Sequence, residues 1–270
     1  MKKSFHLVVA LSLVASAAAA QGLVYPVDVA LDAKGVVFVV DHQAHALLKL
    51  EGGSFKVVAK GEGLPRTPLF GIRHIALDKE GRWVASDPAT MKLYRIDGAG
   101  TITQVPDDDH FVTPWGVAVE SSGAILAVDR VTHRLRRISP DGQVSDVADV
   151  QAPRAIFFDK EGAILILTDT NLMKVGDGGK VEPLLESAPF EFPHDAALHP
   201  NGNTYVTDGY ARAIWQITPK GEVSAFVQGD PLKSPQGLAI DGQGNLIVAD
   251  AHAKAVFQVS TKGEIKVLGQ

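Results

Sequence analysis

The 270-residue chain has no cysteine. Disulfide staples, thiolate nucleophiles, Cys-ligated zinc, iron–sulfur clusters and a lipidated N-terminal Cys are therefore excluded. Basic charge is in short supply too. With 26 Lys+Arg against 31 Asp+Glu, the formal net charge is −5, which speaks against a protein that neutralises nucleic-acid phosphates. There is no G-x-S-x-G elbow, phosphate loop or dinucleotide fingerprint, so neither a serine nucleophile of that type nor a nucleotide cradle is expected. Beyond the N-terminus no long apolar run occurs, and no stretch of helical length shows helical periodicity. With 46% hydrophobic residues, the chain is still too apolar for disorder. A globular, largely non-helical protein remains.

Residues 1–20 read as a secretory signal peptide. Lys2 and Lys3 precede the apolar stretch Leu7 to Val14, and Ala18, Ala19 and Ala20 supply a small-residue cleavage site. The expectation is export to the periplasm or medium, with no membrane association once the signal is removed. A cysteine-free exported core must then stabilise itself without cross-links.

Residues 21–270 read as one domain of six repeats. The segments "PVDVALDAKGVVFVVD", "IRHIALDKEGRWVASD", "PWGVAVESSGAILAVD", "PRAIFFDKEGAILILT", "PHDAALHPNGNTYVTD" and "PQGLAIDGQGNLIVAD" begin at Pro26, Ile72, Pro114, Pro153, Pro193 and Pro235. Their spacings are 46, 42, 39, 40 and 42 residues, and a period of about forty suits one four-stranded propeller blade. In each copy an apolar strand leads through a Gly-containing turn into a second strand that is apolar on both faces, as a strand sandwiched between neighbours must be. Two further short strands follow. The prediction is an all-β, six-bladed propeller with blades at about 25–60, 70–105, 112–150, 152–186, 192–228 and 234–268. Blade six would pack on blade one, with no obvious exchanged strand to latch the ring.

The loop "DRVTHRL", Asp129 to Leu135, is close to the ending of NHL repeats, and "DHQAHAL" and "DAHAKAV" are worn versions of it. The chain thus resembles the NHL / SMP-30-like group of six-bladed propellers. Blade five, "FPHDAALHPNGNTYVTDGYARAIW", is similar to the P-H-D and D-G-Y segments of peptidylglycine amidating lyases, and blade one and "VDR" at Val128 to Arg130 are similar to others. That resemblance implies a divalent cation, zinc or calcium. The zinc ligands of those lyases are histidines just after each blade's first proline. Here these positions hold Val27, Arg73, Trp115, Arg154, His194 and Gln236, so only His194 matches. None of them carries the Glu, Asn or Asp ligands of SMP-30-type lactonases either. For calcium, the resemblance points to Asp195, with Asp28 as the second acid. Streptogramin-inactivating lyases are similar in spacing a histidine and an acid as His194 and Asp208 are spaced.

Strand direction predicts that the residue after each proline lies near the Asp ending the second strand, ringing the channel mouth. The candidate ligand-binding set is Arg73, His74, Trp115, Arg154, His194 and Gln236. Guanidiniums grip carboxylate or phosphate, and Trp offers a flat apolar face. These arginines could equally pair with Asp28 and Asp195 and plug the channel. The candidate catalytic set is His194 as base, Asp208 to orient it, Tyr210 and Arg130. As a group, Asp41, Asp87, Asp129, Asp208 and Asp250 suit turn architecture better than chemistry. Blade four differs, with Thr168 in that place. The long connector Gly61 to Gly71 could overhang the mouth as a lid. Three functions stay open: a propeller binding a small anionic ligand or peptide, a metal-assisted lyase or hydrolase, and a protein-interaction scaffold.

Overall fold

A computed structural model describes residues 22–106 and 110–270. The signal-peptide reading of residues 1–20 lies outside them. The described chain forms six four-stranded antiparallel sheets, each built from four consecutive strands. Blade one runs from Pro26–Leu31 to Ser54–Lys60, blade two from Ile75–Leu77 to Ile102–Gln104, and blade three from Pro114–Val119 to Val144–Asp149. Blade four runs from Pro153–Phe158 to Val181–Pro183, blade five from Pro193–Leu198 to Val223–Gln228, and blade six from Pro235–Ile240 to Ile265–Gly269. The fold is the predicted all-β, six-bladed propeller.

Burial follows the strand order. The second strands Trp83–Asp87, Ile125–Asp129, Ile164–Thr168, Thr204–Asp208 and Leu246–Asp250 are buried along their whole length. Their apolar side chains pack on the neighbouring blades to either side, as in the cluster of Leu126, Val128 and Leu135 with Ile156, Ile164 and Ile166. Outermost strands such as Val223–Gln228 are largely solvated. Turns between first and second strands repeat one device. In blade one Asp32 accepts the Lys34 and Val36 amide N–H groups, and Gly35, at φ 78°, donates to the Asp32 carbonyl. The side chain thereby replaces backbone partners that the tight turn cannot supply.

The ring closes by packing. Leu23, Val29, Val39 and Leu48 of blade one share a core with Ile247, Ala249 and Val256 of blade six. Every sheet being contiguous in the chain, no strand is exchanged across this seam among the described residues. The connector Gly61 to Gly71 is anchored, not poised as a lid. Leu69 is fully buried, and His45 both stacks on Phe70 and bonds the Phe70 carbonyl through Nδ1 at 2.7 Å.

A candidate ligand site at the channel mouth

The predicted pairing holds: Pro26 faces Asp41, Pro114 faces Asp129, Pro193 faces Asp208 and Pro235 faces Asp250. Register then slips just after each proline, leaving Val27, Arg154 or His194 as an extra residue in a β-bulge. Trp115 and Gln236 lie in equivalent slips. A bulge twists the strand and re-aims its side chain, so each first strand enters the channel with one residue diverted to the mouth.

The repeated acids hold this geometry in place. Asp208 accepts the amide N–H groups of Glu191, Phe192 and Ala211 and the indole N–H of Trp215. Asp41, Asp87, Asp129 and Asp250 likewise accept amides from the connector before the blade and the turn after it. With its oxygens so engaged, Asp208 forms no hydrogen bond with His194 among the described residues. Nδ1 of His194 instead takes a long hydrogen bond of 3.5 Å from Arg73 Nη2, which places the ring proton on Nε2. That nitrogen lies against Gly209, where a Cβ would come within 2.8 Å of it. The sequence therefore brings His194 beside a cation and not beside the expected acid.

Blade four supplies an acid the sequence reading missed. Thr168 Oγ1 takes over the turn, accepting the Asn171 amide at 3.0 Å. Asp169, one residue on, turns to the mouth. It binds Arg154 through Nε and Arg130 Nη2 at 3.3 Å. The only signal was the displaced acid in "LTDT". The plugging pairs of Arg73 and Arg154 with Asp28 and Asp195 do not form: among the described residues no ion pair joins them. Aromatic faces cover the guanidiniums instead. Arg73 and Arg130 lie 4.4 and 5.0 Å from the Trp115 ring centroid, and Arg154 lies 4.1 Å from that of Phe192. Phe192 in turn stacks on Tyr210, which is 71% exposed at the rim.

Among the described residues, four buried polar atoms of the ring have no hydrogen-bond partner: Arg73 Nε, Trp115 Nε1, Arg154 Nη1 and Gln236 Oε1. Arg154 is only 1% exposed. Burial lowers Arg73 to about 10, still charged at neutral pH. Burial, then the neighbouring Arg73 and Arg154, holds His194 well below the usual imidazole range. The mouth is therefore a cationic ring around a neutral imidazole. A zinc site of the amidating-lyase kind does not fit it, because Arg73 stands where a second ligand to a His194-bound metal would be needed.

One residue deeper lie Asp28, His74 and Asp195, all buried. His74 falls to about 3 through burial and the two arginines above it. Burial raises both acids: Asp195 to about 7, and Asp28 well above the carboxylate range with Asp195 adding to the effect. The structure thus brings Asp28, 167 positions away in the chain, together with Asp195.

No protein-family model matches the chain. Two curated relatives are the peptidyl-glycine alpha-amidating monooxygenases B and A of Xenopus laevis, 23% identical over 233 residues and 22% over 234. Each match covers 72% of this chain but only 26% and 24% of the relative, so the chain spans about a quarter of their length. Among solved structures, a gluconolactonase from Xanthomonas campestris gives a TM-score of 0.74 at 14% identity, covering 92% of this chain and 88% of that one. A virginiamycin B lyase from Staphylococcus aureus gives 0.68 at 18%, covering 93% and 87%. An auxiliary nutrient binding protein from Bacteroides thetaiotaomicron gives 0.73 at 14%, covering 91% and 70%. At such identities the likeness is one of fold: the chain is a six-bladed β-propeller whose structural neighbours include gluconolactonase and virginiamycin B lyase propellers.

Proposed function

We propose that the channel mouth binds a small anionic ligand that also carries a flat apolar part and a hydrogen-bond donor. The observation that carries this reading is the set of unpartnered atoms on the ring. Arg73 Nε, Trp115 Nε1 and Arg154 Nη1 are three buried donors without acceptors, and Gln236 Oε1 is an acceptor without a donor. A buried polar group left unpaired costs about 1–3 kcal/mol, so four on one tier favour a ligand that satisfies them. Arg130 and Arg154 share one acid, Asp169, and Arg73 has no ion-pair partner among the described residues, which leaves positive charge for an anion. Tyr210, exposed at the rim, supplies a flat face. A peptide's terminal carboxylate with its adjacent N–H meets the same requirements as a small organic acid. The N-terminal segment favours binding outside the cytoplasm.

Thermal-shift and calorimetric titration with aromatic carboxylates, aryl phosphates and short peptides tests the reading. Hits should weaken at least tenfold in Arg73→Ala and Arg154→Ala, in line with loss of a charged hydrogen bond. If both variants bind every hit as the unaltered chain does, the ring is a plug.

One observation favours a second reading, a lyase or hydrolase. His194 is held neutral among guanidiniums, and once a bound anion draws Arg73 away from Nδ1 that lone pair can take a proton, with Arg130 and the exposed Tyr210 at the same mouth. A proton-release assay on lactones, with and without added divalent cation, tests it. Turnover that vanishes in His194→Ala would favour catalysis, and no turnover under any cation would remove it.

A further inference from the structure

We propose that Asp28, His74 and Asp195 form a second site, separate from the mouth, that takes one first-row divalent cation such as zinc. The three residues come from the innermost strands or strand leads of blades one, two and five. Their carboxylate oxygens and an imidazole nitrogen all lie within 4.8 Å of one another. Blade six separates blades one and five in the ring. It carries Gly237 at this tier, packed so closely on blade one that a Cβ would sit 2.4 Å from the Asp28 Cα. A side chain there would hold the two acids' strands apart.

The pairing of these groups is incomplete in a specific way. Asp28 accepts the Val29 and Ile75 amides, and Asp195 accepts the Ala196 and Leu238 amides, one on each oxygen. Each oxygen keeps a second lone pair. Among the described residues, no Lys or Arg nitrogen lies within 4 Å of either carboxylate, although they are only 3% and 9% exposed. His74, 7% exposed, makes no hydrogen bond through its ring among the described residues; its Nδ1 stops 3.6 Å from Asp28 Oδ2. Two buried carboxylates without a cation are costly when ionised, and the imidazole whose Nδ1 stands 3.6 Å from one of them is the natural third ligand.

The donor set identifies the ion. One imidazole and two carboxylates give three protein ligands with a fourth position left open, the arrangement that suits zinc. Calcium takes six or more oxygens, so the calcium implied by the resemblance fits these residues poorly, while a mixed N/O set favours a borderline metal. The open position has a route to solvent. The same three residues cap a cavity of about 390 Å³ whose walls include Leu77, Val119, Phe158 and Ile240, the far ends of the first strands. The ion therefore enters from the face opposite the mouth, and the proposal stands independently of anion binding there.

The test is metal titration of chelator-stripped protein. We expect one zinc per chain by elemental analysis, no comparable uptake of calcium or magnesium, and at least tenfold weaker zinc binding in Asp195→Asn and in His74→Gln. Should a variant fail to fold, the unaltered chain still decides. Zinc at a hundredfold excess over its Kd must raise Tm by several degrees, and must shift the NMR signals of a solvent-protected imidazole. Substoichiometric zinc, a Tm indifferent to zinc, or variants that bind zinc as well as the unaltered chain would each overturn the site.

Discussion

Five blades and the fourth use the same kind of side chain for opposite purposes. In blades one, two, three, five and six an aspartate ends the second strand, and its carboxylate is taken up by backbone amides of the flanking loops. In blade four Thr168 closes that turn with one hydroxyl, and the acid stands one residue further along. Asp169 so freed reaches Arg130 and Arg154 and sets the charge of the mouth. A displacement of one residue separates an acid that builds the ring from one that tunes what the ring can hold.

Removing an architectural acid should have the largest effect. Asp208→Ala strands three amide donors and an indole N–H at once, and chemical denaturation should show a loss of about 3 kcal/mol or more. A loss under about 1 kcal/mol would mean that the carboxylate is not what holds that turn. Next comes the neighbour that lets His194 lie flat. Gly209→Ala brings a Cβ to 2.8 Å from His194 Nε2. A cost of about 1–3 kcal/mol is expected for such overpacking, with ligand hits at the mouth altered together with stability.

Asp169→Asn should invert the pattern of Asp208→Ala. Stability falls less than in Asp208→Ala, since the asparagine amide oxygen can still accept from the buried Arg154, whereas affinity for an anionic ligand rises about tenfold as a competing negative charge leaves the arginines. Equal or weaker anion binding in this variant would dissolve the contrast between the two acids. The smallest effect concerns pH. His194 is neutral in the fold and has its ordinary value near 6.5 when unfolded, so folding favours the deprotonated form. That contribution is complete above pH 6.5 and is lost as pH falls below it. Asp28 and Asp195, raised by burial, act in the opposite sense over the same range. The informative quantity is thus the difference in Tm between the unaltered chain and His194→Gln, which should move in favour of the variant between pH 7 and pH 5.

The ring of blades could be read from the sequence because each copy carries its own turn glycine and apolar strand pair, features that act locally. The mouth position after each proline followed from strand direction alone. What stayed hidden depended on neighbours far apart in the chain. The bulges after Pro26, Pro153 and Pro193 have no residue signature of their own. His194 and Asp208 keep a suggestive spacing, yet the amides of Glu191 and Phe192 claim the acid. Asp28 and Asp195 look remote along the chain and meet only because Gly237 brings blade six tightly against blade one.

The unlatched seam carries a final consequence. Leu23 and Leu268 belong to one apolar cluster although they sit at opposite ends of the described fold. Because no sheet borrows a strand from elsewhere, any connector between blades is topologically equivalent to this junction. A circularly permuted gene, joined across Leu23 and Leu268 and opened between blades three and four, encodes the same closed ring. In that sense the propeller has an order of blades but no first blade.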